Sequence, residues 1–252
     1  MISGRVMYYD VLQKTFNTSS TIPRYNFYDL NAKVNYILSE NNIISLSGLF
    51  SNDRAYSPPT ITETDYDIEW RVYILCCAAH HASKLEGDFV DCGVYTGFCT
   101  RAITHFVEFE KLNKTYYLLD TFGGLDPKYS SEYELKRNDK LGYSKTKNLY
   151  EQVKETFKNY KTKIIKGSIP ETLDQVDTQK ISFLSIDMNS EVPEIAALEF
   201  FWDKLVKGAI VVLDDYGYPG CLNQKIAHDK FAQSKGVLVF PLPTCQGLII
   251  KP

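Results

Sequence analysis

The chain has 252 residues, of which 44% are hydrophobic, so it can bury one large core and still carry an additional N-terminal segment. Its formal net charge of −3 argues against broad electrostatic binding to nucleic acid or to a membrane surface. The first residues, MISGRVMYYDV, lack the apolar run of a signal peptide, and no later stretch approaches the length of a membrane span. The six cysteines form neither a C-x-x-C pair nor a zinc pattern with histidine. We therefore expect a cytoplasmic protein that binds neither nucleic acid nor membranes.

Residues 1–60 come first, and we interpret them as an N-terminal extension. They are rich in aromatic residues and asparagine and short of long periodic segments, and the pair Pro58-Pro59 closes them. From Thr62 the sequence TETDYDIEWRVYILCCAAHHASKL begins with a capping signal and continues as a long helical pattern. Residues 61–252 form the second predicted domain.

Beyond residue 87, apolar segments of strand length alternate with amphipathic helical segments. The predicted strands are Phe89–Cys92, Tyr116–Asp120, Lys163–Lys166, Ile181–Asp187, Ala209–Asp214, Val237–Phe240 and Gly247–Ile250. The predicted helices between them are Thr96–Phe109, Thr146–Tyr160, Glu191–Leu205 and Leu222–Ser234. This alternation predicts an α/β fold of the Rossmann-like kind, with a mostly parallel seven-stranded sheet and helices on both faces.

Two connections in this domain stand out. The last two strands are separated by too few residues for a helical crossover, so we expect them to pair antiparallel as a hairpin at one edge of the sheet. The polar stretch Asp126–Lys145 fits no predicted element. We expect it to be a long surface loop, of the kind that often serves as a lid, although a plain solvated loop is equally compatible with its mixed charge.

A tight glycine turn follows the first predicted strand, in the sequence VDCGVYTG at residues 90–97. A dinucleotide site would need G-x-G-x-x-G, so that the pyrophosphate lies on bare backbone at a helix N-terminus. Here Tyr95 replaces the middle glycine, and the carboxylate of Asp91 would repel a pyrophosphate. The turn suits a cationic or hydroxyl-bearing ligand such as S-adenosylmethionine, although an ordinary strand-to-helix turn would look similar. The candidate cofactor-binding residues here are Asp91, Gly93, Tyr95, Thr96 and Gly97, and Asp187, at a later strand end, is a further candidate.

Acidic residues end four of the predicted strands: Asp91, Asp120, Asp187 and the pair Asp214-Asp215. Open parallel sheets bind ligands at the carboxyl ends of their strands, so we expect these carboxylates to surround one crevice. Cations must then offset their mutual repulsion.

Further cofactor contacts are predicted at the second and third strand ends. A carboxylate at Asp120 can accept hydrogen bonds from both hydroxyls of an adenosyl ribose, and Thr121 follows it. The alternative is that Asp120 only forms a turn with its own backbone. Gly167 and Ser168 are candidates for contacting the adenine, with a simple strand-to-helix turn as the alternative.

Asp187, Asp214 and Asp215 end strands that are neighbours in such sheets. Three hard oxygen ligands without nearby histidine or cysteine suit Mg²⁺ or Ca²⁺ rather than zinc. In the alternative interpretation they shape strand-end turns, with Asp215 capping a backbone N–H.

Six segments follow one another within about Leu85 to Pro252: DFVDCGVYTG, YYLLDTFGGL, KGSIPETL, SFLSIDMNSEVPEIAALEFFW, GAIVVLDDYGYPG and LPTCQGLIIKP. In this order they resemble the macrocin O-methyltransferase (TylF-type) family of class I S-adenosylmethionine-dependent methyltransferases. The resemblance implies methylation of a sugar hydroxyl on a glycan or glycosylated metabolite. It also implies a divalent metal, usually Mg²⁺, held by the acids that match Asp187, Asp214 and Asp215.

The resemblance further implies a homo-oligomer whose N-terminal region helps to enclose the acceptor. The chain departs from the family pattern at two positions. Asn189 stands where many relatives carry an acidic residue, and Cys245 stands where a glycine is common before Gln246.

In this interpretation a metal-bound acceptor hydroxyl attacks the methyl group of the sulfonium, and Asp187 is the first candidate for the base. A phenolic or catechol acceptor is the alternative substrate. An NAD(P)-dependent oxidoreductase and a non-catalytic protein that binds S-adenosylmethionine are alternatives of other classes.

Overall fold

The computed structural model describes residues 2–7, 24–39 and 42–56, as strands only, and residues 68–252 in full. The chain divides into two compact units, Met1–Tyr66 and Asp67–Pro252. In the first unit, strands β1 (Ile2–Met7), β2 (Arg24–Ser39) and β3 (Asn42–Tyr56) form an antiparallel sheet in the order β1-β2-β3.

This first unit contains more regular structure than the sequence analysis predicted. The segment YDLNAKVNY, residues 28–36, alternates apolar or aromatic residues with polar ones, which is the period of a β-strand. Because no turn signal interrupts it, β2 pairs with β3 over almost its whole length. The helix start predicted at Thr62 lies outside the described residues.

The second unit contains a seven-stranded sheet. Its strands are β4 (Asp88–Cys92), β5 (Tyr116–Asp120), β6 (Thr162–Lys166), β7 (Ile181–Ile186), β8 (Leu205–Leu213), β9 (Phe240–Pro241) and β10 (Gly247–Ile250). They are ordered β6-β5-β4-β7-β8-β10-β9. Strands β4 to β8 are parallel, whereas β10 is antiparallel to both β8 and β9. This confirms the predicted sheet and its antiparallel edge hairpin.

Six α-helices of this unit lie within the described residues: α1 (Ile68–Ser83), α2 (Phe98–Phe106), α3 (Glu132–Leu141), α4 (Leu149–Phe157), α5 (Glu191–Trp202) and α6 (Leu222–Ser234). Strand β8 begins at Leu205, before the predicted start at Ala209. Its register against β7 shifts near Gly208, whose φ of 82° lets the strand continue through an irregularity.

Side-chain alternation along the central strands buries both faces of the sheet. Val90 and Leu184 belong to one core cluster together with Phe201 and Trp202 of α5. On the other face of the sheet, Phe89 of β4 packs in an aromatic cluster. Its ring centre lies 5.2 Å from that of Phe183, 5.5 Å from that of Tyr116 and 5.4 Å from that of Phe109. Helix α1 packs against α2, β7 and β8. In the part of the chain that the structure describes, no helix is both long and apolar enough to cross a membrane.

Helix α3 corrects the prediction of a continuous loop over Asp126–Lys145. Its start is a capping box, in which the Ser131 hydroxyl accepts from Glu134 N and the Glu134 carboxylate accepts from Ser131 N, 2.7 Å away. Gly142, at φ 81°, ends it. The segment has too few apolar residues for a helical stripe, so its capping residues were the only signal in the sequence.

Gly93, the first residue after β4, generates a prediction on stability. Its φ is 99°, and a Cβ there would lie 1.8 Å from the carbonyl oxygen of Asp187, whereas Gly236 has a φ of 70° and open space around its Cβ position. Gly236→Ala should cost about 1 kcal/mol, the strain of the left-handed backbone alone. Gly93→Ala should cost roughly 2 kcal/mol more, since backbone must also move. Urea unfolding of both variants measures the difference, and equal losses would contradict this close approach.

Candidate active site

The carboxyl ends of β4, β5, β7 and β8 open into one cavity of about 420 Å³. That volume is typical of small-molecule sites. The cavity is lined by four of the strand-end acids, Asp91, Asp120, Asp187 and Asp214. The topology thus brings together residues that are up to 123 positions apart in sequence.

Nine of the ten predicted cofactor-binding residues line this cavity: Asp91, Gly93, Tyr95, Thr96, Asp120, Thr121, Gly167, Ser168 and Asp187. Gly97 does not. Gly97 precedes the first residue of α2 and has a φ of 76°, and a Cβ there would lie 2.6 Å from the ring of Phe157. Backbone conformation and packing therefore explain why a glycine stands at this position. Asp215 also lies outside the lining and faces two arginines instead.

Asp91 is buried below the glycine turn. Its Oδ2 accepts a hydrogen bond of 2.5 Å from the Thr100 hydroxyl. Burial raises the pKa of Asp91 to about 7, an effect that hydrogen bonds from Thr100 and Ser185 oppose and the nearby charges of Asp120 and Asp214 reinforce.

Asp120 forms the turn contacts that were one of its two predicted roles, and it also lines the cavity. Its Oδ2 accepts from Tyr95 N at 2.8 Å and its Oδ1 accepts from Phe122 N, so it does hold the local turns. It also lines the cavity, and each carboxylate oxygen keeps a second lone pair. Burial raises the pKa of Asp120, while the backbone N–H groups that it accepts from lower it.

Asp126, which the sequence did not predict as a site residue, lies beside the residues that follow β6. The Ser168 hydroxyl donates to the carboxylate of Asp126, and both residues line the cavity. This hydrogen bond is the main reason why the pKa of Asp126 lies below its usual value. A serine and a carboxylate side by side offer a donor and an acceptor to a ligand.

Asp214 and Asp215 form a largely buried ion-pair cluster with two arginines. Nη2 of Arg71 bonds to Asp214 Oδ2 and lies 3.0 Å from Asp215 Oδ1. Nη2 of Arg137 lies 3.1 Å from Asp215 Oδ2, and Nε2 of Gln246 donates to Asp214 Oδ1 over 2.7 Å. Burial alone would lower the pKa of Arg71, but Asp214, Asp215 and Asp187 raise it above its ordinary value.

Asp187 lies beside this cluster and inside the cavity lining. Burial, followed by the charges of Asp214 and Asp215, raises its pKa well above the usual value for a carboxyl group. Asn189 Nδ2 donates to Asp187 Oδ1 over 3.3 Å, and Asn189 Oδ1 accepts from Arg137 at 3.1 Å. A carboxylate at position 189 could not donate to Asp187, and Asn tolerates the local φ of 56° better than most residues.

Glu194 holds the loop after β7 in place. Glu194, on α5, accepts from Met188 N at 3.1 Å and from Gln224 Nε2 at 2.9 Å. Its other carboxylate oxygen lies 3.1 Å from Nε2 of the buried His228. The loop that carries Asp187 and Asn189 is therefore anchored from behind by a buried polar network.

The residues around α3 line another part of the cavity. Tyr129, Asn138 and Tyr143 belong to the lining, and the ring of Tyr143 lies 5.1 Å from that of Tyr95. Glu134 accepts from Glu191 N at 2.9 Å, which ties α3 to the start of α5. The segment predicted as a loop thus contributes side chains to the site.

The predicted Mg²⁺ ligands do not present free carboxylates in this arrangement. Five of the six carboxylate oxygens of Asp187, Asp214 and Asp215 accept hydrogen bonds from Arg71, Arg137, Gln246 or Asn189. Within residues 68–252, no group of three histidine, cysteine, aspartate or glutamate residues is placed to hold a metal ion. The donor chemistry suits a divalent cation, but the geometry does not fit one.

The sheet order, the antiparallel edge and the cavity at the carboxyl strand ends are those of a Rossmann-like α/β fold with a ligand site at its strand ends. A model of the macrocin O-methyltransferase (TylF) family matches residues 73–242, so the chain belongs to this family. It is an S-adenosylmethionine-dependent O-methyltransferase. The match confirms the family that the sequence motifs indicated.

Solved structures share this fold. The O-methyltransferase NovP is 17% identical, with a TM-score of 0.61 over 72% of this chain and 79% of NovP. The calicheamicin methyltransferase CalS11 is 15% identical, with a TM-score of 0.61 over 77% of this chain and 86% of its own. An apo structure of CalS11, a TDP-rhamnose 3'-O-methyltransferase, gives 18% identity and a TM-score of 0.53 over 72% and 79%. None of the curated proteins compared with the chain is significantly similar to it in sequence.

Asp120→Ala should weaken binding of S-adenosylhomocysteine by roughly 1.5–3 kcal/mol, because charge-assisted hydrogen bonds to the ribose would be lost. Isothermal titration calorimetry gives the affinity, and Asp174→Ala, at an exposed carboxylate, is the matched control. Unchanged affinity in Asp120→Ala would show that this residue only shapes the turn.

The pKa of Asp91 predicts a pH dependence of stability. Because folding raises this pKa to about 7, the folded state favours the protonated carboxyl. The stabilisation is complete below about pH 4 and is lost as the pH rises towards 7. Asp91→Asn cannot titrate, so its free energy of unfolding should fall less over this range, by on the order of 2 kcal/mol. Urea unfolding between pH 4.5 and 8 measures both slopes, and parallel curves would contradict the shift.

Proposed function

We propose that the enzyme transfers a methyl group from S-adenosylmethionine to a sugar hydroxyl of a glycan or glycosylated metabolite. The observation that carries this proposal is the single cavity in which the cofactor-side residues Asp91 and Asp120 meet Asp187 and Asp214. Family membership supports an oxygen acceptor, and CalS11, which shares the fold, acts on a nucleotide-linked sugar.

The cofactor half of the site is proposed to lie at β4, β5 and β6. Asp120 would accept from the ribose hydroxyls, and Ser168 together with Asp126 would contact the adenine. Tyr95 and Thr96 lie on the glycine turn beside them. Bound S-adenosylmethionine supplies an electrophilic methyl group on a sulfonium.

The acceptor half is proposed to lie between Asp187, Asn189 and the α3 segment. Asp187 would take the proton of the attacking hydroxyl, and its raised pKa makes its ionised form a stronger base than an ordinary carboxylate. The rings of Phe98 and Tyr143 line the same cavity and would hold the apolar face of a sugar ring and exclude water. Holding both reactants in one cavity supplies several kcal/mol through orientation alone.

Divalent-metal assistance, which the family resemblance implied, is not used in this scheme. A cation that bridges Asp214 and Asp215 would first have to displace the guanidinium of Arg71 from both carboxylates. The proton therefore moves to Asp187 in this proposal, and Arg71 compensates the charge of its neighbours.

Two further expectations remain predictions. Residues 1–60 are expected to enclose the acceptor or to contact a second subunit, in a homo-oligomer. A phenolic or catechol acceptor remains the alternative substrate, since the aromatic lining would also accommodate a flat ring.

The test is a methyl-transfer assay with nucleotide sugars, simple glycosides and catechol, in which mass spectrometry detects the methylated product and S-adenosylhomocysteine. A sugar should be methylated and catechol should not. Asp187→Asn should lower turnover at least 100-fold, the usual contribution of a general base, with little change in S-adenosylhomocysteine affinity. The control Asp174→Asn should change neither.

Methylation of catechol alone would overturn the proposed acceptor class. Full turnover in Asp187→Asn would overturn its role as the base while leaving methyl transfer in place.

A further inference from the structure

We propose that Arg71 is the resident cation of the acid cluster and takes the place of the divalent metal that the family resemblance implied. Arg71 comes from α1, yet its guanidinium reaches across to Asp214 and Asp215, more than 140 residues later in the chain. The inference rests on the proposed methyl transfer for its functional meaning, but its geometry stands independently.

Arg71 occupies the position that a metal ion would need. A single nitrogen, Nη2 of Arg71, contacts Oδ2 of Asp214, the carbonyl oxygen of Asp214 at 3.0 Å and Oδ1 of Asp215 at 3.0 Å. A magnesium ion held by these two carboxylates would need its own oxygen distances of about 2.0–2.1 Å around the same point. The guanidinium and the metal therefore exclude each other.

The surroundings of Arg71 hold it in place. Only 14% of its side chain is exposed, and its guanidinium lies 5.5 Å from the centre of the Tyr218 ring. Nε2 of Gln246 contacts both Asp214 Oδ1, at 2.7 Å, and the backbone carbonyl of Arg71, at 3.3 Å. One buried amide thus fixes the carboxylate and the arginine relative to each other.

Two arginines offset most of the negative charge of the acid cluster. Asp187, Asp214 and Asp215 would carry three negative charges, and Arg71 with Arg137 supplies two positive ones. Arginine stays protonated at all relevant pH values, so this compensation does not depend on pH. The cluster is therefore nearly neutralised by groups of the chain itself, without any bound dication.

The test is a titration of the purified protein with Mn²⁺, followed by electron paramagnetic resonance and by calorimetry, with and without S-adenosylhomocysteine. The wild-type protein should show no saturable site up to millimolar Mn²⁺. Arg71→Ala should gain one site that binds at least tenfold more tightly than any in the wild type. The double variant Arg71→Ala/Asp214→Asn should lose this site again.

Two controls sharpen the result. Arg101→Ala removes an exposed guanidinium from α2 and should not create a site. Arg71→Lys keeps a cation at the cluster, so its Mn²⁺ affinity should stay close to that of the wild type. S-adenosylhomocysteine binding, measured on the same samples, reports that each variant is folded.

A saturable Mn²⁺ site in the wild type that is lost in Asp214→Asn would overturn the inference, and it needs no Arg71 variant to be seen. Failure of a folded Arg71→Ala protein to gain a site would also overturn it. Neither outcome bears on methyl transfer, whose own failure would appear as a lack of methylated product in the presence and absence of metal.

Discussion

The main constraint on this enzyme is the crowding of like charges at one end of its sheet. Parallel strands end at the same edge, so Asp91, Asp120, Asp187 and Asp214 are forced into one cavity, with Asp215 directly behind it. Burial makes each ionised carboxylate costly, and each neighbour adds to that cost. The chain compensates with backbone N–H groups at Asp120, a threonine hydroxyl at Asp91 and two guanidiniums at the Asp214-Asp215 pair. The turns and helices around the strand ends therefore supply hydrogen-bond and ion-pair partners to these carboxylates.

The same constraint explains features that look unrelated to the chemistry. Helix α1 supplies Arg71, α3 supplies Arg137 and the turn before β10 supplies Gln246, so three elements far apart in sequence converge on two carboxylates. Glu194, on α5, orders the loop after β7 from the opposite side. A site assembled from so many elements can keep its acids fixed without relying on any single loop.

The sequence predicted the sheet well because its strands are short apolar runs bounded by turn residues, and their carboxyl ends carry the acids. It predicted Asp91, Asp120 and Asp187 around one cavity for the same reason. It failed at α3, where the capping box of Ser131 and Glu134 decides the structure without an apolar stripe, and in the first unit, where β2 alternates polar with apolar residues. It could not predict Arg71 or Arg137, since nothing near an arginine reveals a carboxylate that lies 78 or more residues away.

Asn189 connects two parts of the molecule that have different tasks. Its amide donates to Asp187 and accepts from Arg137, so the group proposed to take the proton and the helix α3 share one side chain. A movement of α3 away from the site would break the contact with Arg137 and free Asn189 to turn away from Asp187. The position of α3 and the hydrogen bonding of Asp187 are therefore linked through one amide group. An acidic residue at position 189 would uncouple the two, because it could not donate to Asp187.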